Sequence, residues 1–215
     1  NYFYQAIEGS KWFLFKKGKL AHSHLELGGF VKSDKSYNHP NLQFHFFPYL
    51  VINHGLENSK FEAFQFHVCP NRPKSRGFVK IKTNNYKDDP KIQFNYLKHK
   101  DDLKQMREGV KIAKNILSQK SLEEYVGVEI RPGKNVSNQT ELDEIIKNTS
   151  ESAYHPSCTN KMGEDITSVV DQSLKVHGIK NLRVVDASVM PDIVSANLNA
   201  TTIMIAEKAY DEIKI

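Results

Sequence analysis

His155 stands between Tyr154 and Pro156 at the head of the run Tyr154-His155-Pro156-Ser157-Cys158-Thr159-Asn160-Lys161-Met162-Gly163, and its side chain is well suited to move a proton. A neutral imidazole accepts a proton near pH 7, because its ordinary pKa is about 6.5. Pro156 biases His155 toward extended backbone, so the ring can project from a fixed turn. Taken alone, such a histidine is more often a buried, hydrogen-bonded structural group. Forty-two positions on, Asn197 carries an amide able to donate to an oxygen on which negative charge develops. Taken alone, Asn197 reads as the cap of a helix beginning near Asn199, and the two roles can coexist. The first N–H groups of that helix, at Asn199, Ala200 and Thr201, lack internal partners and favour an anionic group. His45 lies among Phe44, Phe46, Phe47 and Tyr49, whose aromatic faces can attract a quaternary ammonium. In a strand, however, Phe44 and Phe46 face away from His45 and fill core. Cys158 reads as a small packing residue, not a nucleophile.

The elements that must carry these groups are partly written in the periodicity. Phe78 to Lys82 and Lys91 to Leu97 alternate apolar and polar residues on either side of the turn signal Asp88-Asp89-Pro90, which predicts antiparallel strands. Between Asp101 and Gln119, Leu103, Met106, Val110, Ala113 and Leu117 recur at helical spacing, predicting a helix with one buried stripe. Asn138 with Glu141 reads as a capping pair for a helix ending near Asn148. Leu182 to Asp186 predicts a short strand ending in a carboxylate, and Asn199 to Ile213 a final helix. By itself Asp186 is a turn carboxylate capping local N–H groups.

The chain has 215 residues, enough for one large domain or one domain plus part of another. Its net charge of +5 comes from Lys spread along the chain among Asp and Glu. That pattern fits a solvated surface better than a binding stripe, and no nucleic-acid partner is expected. Two cysteines, Cys69 and Cys158, offer no disulfide framework, and a reducing compartment is the simpler expectation. No metal-binding cluster is expected. No apolar run approaches the roughly 20 residues of a spanning helix, so any membrane contact is expected to be peripheral.

The ordered blocks Tyr154 to Gly163, Val170-Asp171, Val176-His177-Gly178, Leu182 to Pro191 and Ile193 to Lys208 resemble the C-terminal part of the glucose-methanol-choline flavoprotein oxidoreductases. Within that family, His-Pro-Ser-Cys followed by Lys-Met-Gly is most similar to the choline-oxidising members. Weaker counterparts occur at Trp12 to Phe15, Pro40 to Phe46, Ser75-Arg76-Gly77 and Ile92 to Tyr96. The resemblance implies an α+β fold. Residues 1–150 would form a substrate-binding lobe, an antiparallel sheet with helices on one face, and residues 151–215 would return to an FAD-binding α/β domain. The family's glycine-rich dinucleotide turn is missing, so the chain is expected to be a C-terminal fragment.

By resemblance, FAD is the cofactor and a primary alcohol the substrate, with choline oxidised to betaine aldehyde. His155 would be the base, Asn197 and His45 would hold the alkoxide, and Asn199, Ala200 and Thr201 would favour the reduced flavin. Asp186 and Ala187 would contact its ribityl-phosphate side. Electrons would pass to a quinone or respiratory chain, from a cytoplasmic or peripheral inner-membrane location. The chain departs from choline-oxidising members at Asn160, where a second Cys is usual, and at Glu62-Ala63, where they carry His-Gly. Two alternatives remain: a family member acting on another primary alcohol, and a non-catalytic binding or structural lobe.

Overall fold

A computed structural model describes residues 2–21, 25, 27–52, 57, 59, 61–134, 136 and 138–214. Its centre is a three-stranded antiparallel sheet, β1 (Leu27–Val31), β2 (Leu42–Phe47) and β3 (Gln65–Pro70), with β2 in the middle. Alternation along β2 sorts its side chains. Leu42 and Phe44 are buried on one face, while Gln43, His45 and Phe47 turn to the other. The register pairs Gln43 with Cys69, His45 with His67 and Phe47 with Gln65, so these six residues share a face.

Helix α2 (Lys100–Leu117) packs on the opposite face of the sheet. Its most buried positions are Asp102, Gln105, Gly109 and Ala113, while Leu103, Met106, Val110 and Leu117 are only half-buried. The expected stripe is thus rotated, because small and hydrogen-bonded residues let the helix come close to the strands. A Cβ built at Gly109 would meet Val68 Cγ1 at 2.3 Å. Asp102, 1% exposed, accepts from Lys74 N at 2.7 Å and Ser75 N at 2.8 Å, and from the Ser75 hydroxyl. This clasp fixes the start of α2 to the segment after β3. Helix α3 (Gln139–Thr149) begins as expected, with the Asn138 side chain accepting from Glu141 N at 2.9 Å. Arg107 on α2 grips both Asp143 oxygens, at 2.9 and 2.7 Å, and ties the two helices.

The hairpin of β4 (Phe78–Lys80) and β5 (Lys91–Gln93) confirms the two alternating runs, though both strands are shorter than expected. Asn95 and Leu97 take left-handed backbone, with φ of 56° each, and break the pleat there. Helix α1 (Tyr2–Phe15) leads the chain with Phe3, Phe13, Leu14 and Phe15 exposed.

The C-terminal residues form their own core of Val170, Leu174, Val189, Met190, Leu198, Ile205 and Ala209. The strand expected over Leu182 to Asp186 is not formed. An isolated bridge, Lys175 to Arg183, with its bonds from Val176 N to Leu182 O and Val184 N to Leu174 O, flanks this run, because no described strand lies alongside it. Val184 and Val185 instead pack against the core from an irregular segment. Helix α4 (Asn199–Ile213) closes the chain where expected.

Helices with small antiparallel sheets make an α+β arrangement, as expected from the sequence. Total accessible surface is 16453 Å², whereas a compact monomer of 24.6 kDa exposes roughly 10,000 Å².

Candidate active site

His155 lies on a segment with little freedom. Tyr154 and Cys158 take left-handed backbone, with φ of 59° and 70°, on either side of Pro156. Cys158 N, Asn160 N and Met162 N then donate to the carbonyls of Ala187, Ser188 and Val189, so the segment is laced to the 187–189 turn. The Asn160 amide adds a bond to the Ser188 hydroxyl at 2.9 Å, a contact that a cysteine there would not make.

Asn197 arrives from the loop between that turn and α4. Its Nδ2 lies 3.2 Å from His155 Nε2, and its Oδ1 accepts from Gln43 Nε2 at 3.0 Å. An amide N–H can only donate, so His155 Nε2 accepts and the ring proton belongs on Nδ1. Three segments far apart in sequence thereby meet in one hydrogen-bonded row: β2, the 155 turn and the 197 loop.

His45 sits two residues along the same face as Gln43. Burial holds the His45 pKa below the ordinary imidazole value, and the nearby His155 lowers it further. Its cross-strand partner His67 is lowered by burial and by His45, with Glu151 pulling the other way. By accessible surface the residue as a whole is exposed. Phe47 packs against His67 with centroids 4.5 Å apart and meets Tyr49 at 5.9 Å. Phe44 and Phe46 instead pair with Phe66 and Phe64. Of the four aromatic neighbours, Phe47 shares the His45 face and brings Tyr49 with it.

The 197 loop is also tied to the sheet side of the molecule. Arg72 Nε donates to the Ser195 hydroxyl at 2.7 Å, and Arg76 Nη2 to Asp192 Oδ1 at 2.9 Å. At the start of α4 the capping position is Leu198, which supplies no side-chain bond, and Asn199 and Ala200 are exposed. The first backbone bond back into the helix comes from Thr202 N to Leu198 O. The amides from Asn199 to Thr201 therefore form an uncapped positive helix end. Asp186 behaves as a turn cap, its Oδ1 accepting from Ser188 N at 2.7 Å and from the Ser188 hydroxyl. Ala187 opens that turn and is half-buried.

Gln43, Arg72, Arg76 and His67 were missed from the sequence. Gln43 was within reach, because the same period of two that turns Phe44 away from His45 brings Gln43 to its side. The hollows beside α3, lined by Val128, Pro132, Thr140 and Ile145 among others, share no residue with this group. No cluster of three or more His, Cys, Asp or Glu suited to a metal occurs among the described residues. Both cysteines are free and half-buried, and burial pushes the Cys69 thiol up.

Residues 73–206 match the family model described as GMC oxidoreductase. The chain belongs to that family. This GMC oxidoreductase chain is 43% identical over 210 residues to the oxygen-dependent choline dehydrogenase of Pseudomonas aeruginosa, covering 98% of this chain and 37% of that protein. It is 47% identical over 208 residues to the mitochondrial choline dehydrogenase of Homo sapiens, covering 96% of this chain and 35% of that one. Among solved structures it superposes on formate oxidase from Aspergillus oryzae with a TM-score of 0.86 at 25% identity, covering 98% of this chain and 41% of the other. The chain thus spans little more than a third of the length of the curated relatives it matches.

Proposed function

We propose that this chain supplies the alcohol-activating part of an FAD-dependent dehydrogenase that oxidises choline to betaine aldehyde. The observation that carries the reading is the 3.2 Å contact between His155 Nε2 and Asn197 Nδ2. A hydroxyl oxygen set beside the pair, in place of their direct bond, meets a lone pair able to take its proton and an amide N–H able to hold the oxygen as charge develops. His45 offers a second donor to that oxygen from the sheet side. It stays neutral near pH 7 because burial and His155 disfavour its charged form.

The donor set fits a flavin. The uncapped amides at Asn199, Ala200 and Thr201 offer positive charge to an anionic ring edge, as they would to any anion. Asp186 and Ala187, at the turn laced to the His155 segment, are the proposed contacts on the ribityl-phosphate side. When bound, the flavin supplies the acceptor for the hydride leaving the alcohol carbon. Phe47, with Tyr49 beside it, gives the sheet side an aromatic face suited to a trimethylammonium group. We read residues 1–150 as the substrate-binding lobe and 151–215 as the return to the FAD-binding domain. The separate C-terminal core supports that division.

Electrons are proposed to pass to a quinone, with the protein cytoplasmic or peripheral on an inner membrane. No helix among the described residues is long and apolar enough to cross a membrane. Dioxygen is the second reading for the acceptor, favoured by the oxygen dependence in the name of the Pseudomonas relative. Stoichiometric hydrogen peroxide during turnover would select it. The central proposal is tested by His155→Ala in the full-length protein. Flavin reduction by choline should slow by about 100-fold or more, and an unchanged rate would refute the role given to His155.

A further inference from the structure

We propose that Gln43 is a positioning residue that fixes which way the Asn197 amide faces and thereby keeps the His155 lone pair available. The proposal rests on the reading of His155 as the base. A primary amide has two nearly isosteric ends, one donating and one accepting, and half a turn about its last bond exchanges them. With Nδ2 toward His155, the imidazole Nε2 must accept, and the amide can donate to a hydroxyl oxygen that sits beside the pair and takes over the Nε2 lone pair. With Oδ1 toward His155, the bond would require a proton on Nε2, which occupies the lone pair. The amide would then present a partial negative charge to a developing alkoxide. Packing alone discriminates poorly between the two orientations, because they fill the same space.

Gln43 presents Nε2, which can only donate, to Asn197 Oδ1 at 3.0 Å, so the Asn197 amide cannot turn alone without setting N–H against N–H. Its backbone is held on both sides, since β2 is the central strand and Gln43 is paired with Phe30 on β1 and Cys69 on β3. The backbone that delivers Asn197 is held separately, through Arg76 to Asp192 and Arg72 to Ser195. What these ties leave unset is the amide's own rotation, and the Gln43 bond sets it.

The full-length, flavin-loaded protein with nitrogen-15 histidine provides a test independent of turnover. His155 signals, identified by their loss in His155→Gln, should report a proton on Nδ1 and a bare Nε2. Gln43→Met removes the donor at similar volume, and Gln43→Glu places an acceptor where the donor stood. Flavin reduction by choline should slow about 10-fold in Gln43→Met, more in Gln43→Glu, with KM changing far less. In Gln43→Glu the His155 proton should move toward Nε2.

A residue that merely fills space would tolerate the isosteric Gln43→Glu better than Gln43→Met, and that order would overturn the proposal. So would an unchanged Nδ1 proton with unchanged rates in both variants. If Gln43→Glu fails to retain flavin, Gln43→Met decides by the same two readouts. Failure of the underlying reading looks different, because then His155→Gln and Asn197→Ala would themselves reduce flavin at the normal rate.

Discussion

At the scale of single residues, each polar group of the site faces a partner that restricts its chemistry. Asn197 donates to His155 and accepts from Gln43, so Asn197→Ala should slow flavin reduction by about 100-fold to 1000-fold, the usual loss for one oxyanion donor, as measured by stopped-flow absorbance. Asn197→Asp should be no better, since a carboxylate cannot donate to the alkoxide. The depressed His45 and His67 pKa values also make stability depend on pH. Above the ordinary value of 6.5, folded and unfolded chains hold both rings neutral. Below it, the unfolded chain takes up protons that the folded one refuses, so stability is lost as pH falls. The melting temperature of the full-length protein should drop between pH 7 and pH 5, and His67→Gln should flatten that slope. His155 was legible in the sequence because Pro156 and the following run mark its turn. Its bond to Asn197 was not, because forty-two residues of backbone separate them.

At the scale of elements, two close approaches bring α2 against β3 and the segment that follows it. Ala in place of Gly109 gains about 1 kcal/mol in helix propensity, but its Cβ would collide with Val68 at 2.3 Å. Overpacking of this kind costs about 1–3 kcal/mol, so Gly109→Ala should destabilise in urea unfolding rather than stabilise. Asp102→Ala should cost about 1–3 kcal/mol by the same measure, because it strips acceptors from Lys74 N and Ser75 N in a buried setting. Periodicity found α2, α3, α4 and the β4–β5 hairpin, all elements whose signals are local. It failed at Leu182 to Asp186, where strand-like residues lack a neighbouring strand to pair with. It also placed the apolar stripe of α2 at the wrong angle, because the closest contact uses Gly109 and a buried Asp102 instead of large apolar side chains.

For the whole molecule, accessible surface is the governing quantity. The 16453 Å² exposed, far above the roughly 10,000 Å² of a compact monomer of this mass, includes Phe3, Phe13, Phe15, Tyr86 and Ile166. Expressed alone, the 215-residue chain is expected to bind a hydrophobic dye such as ANS strongly and to remain colourless. The full-length protein should bind little dye and carry flavin absorbance. The sequence by itself determined the family, the main helices, the hairpin and the candidate base and amide, because each is encoded in a short run or a fixed spacing. Only the tertiary structure decided that Gln43, Asn197 and His155 stand in one row. Hydrogen bonds of about 3 Å depend on how distant segments pack, and no local pattern records that.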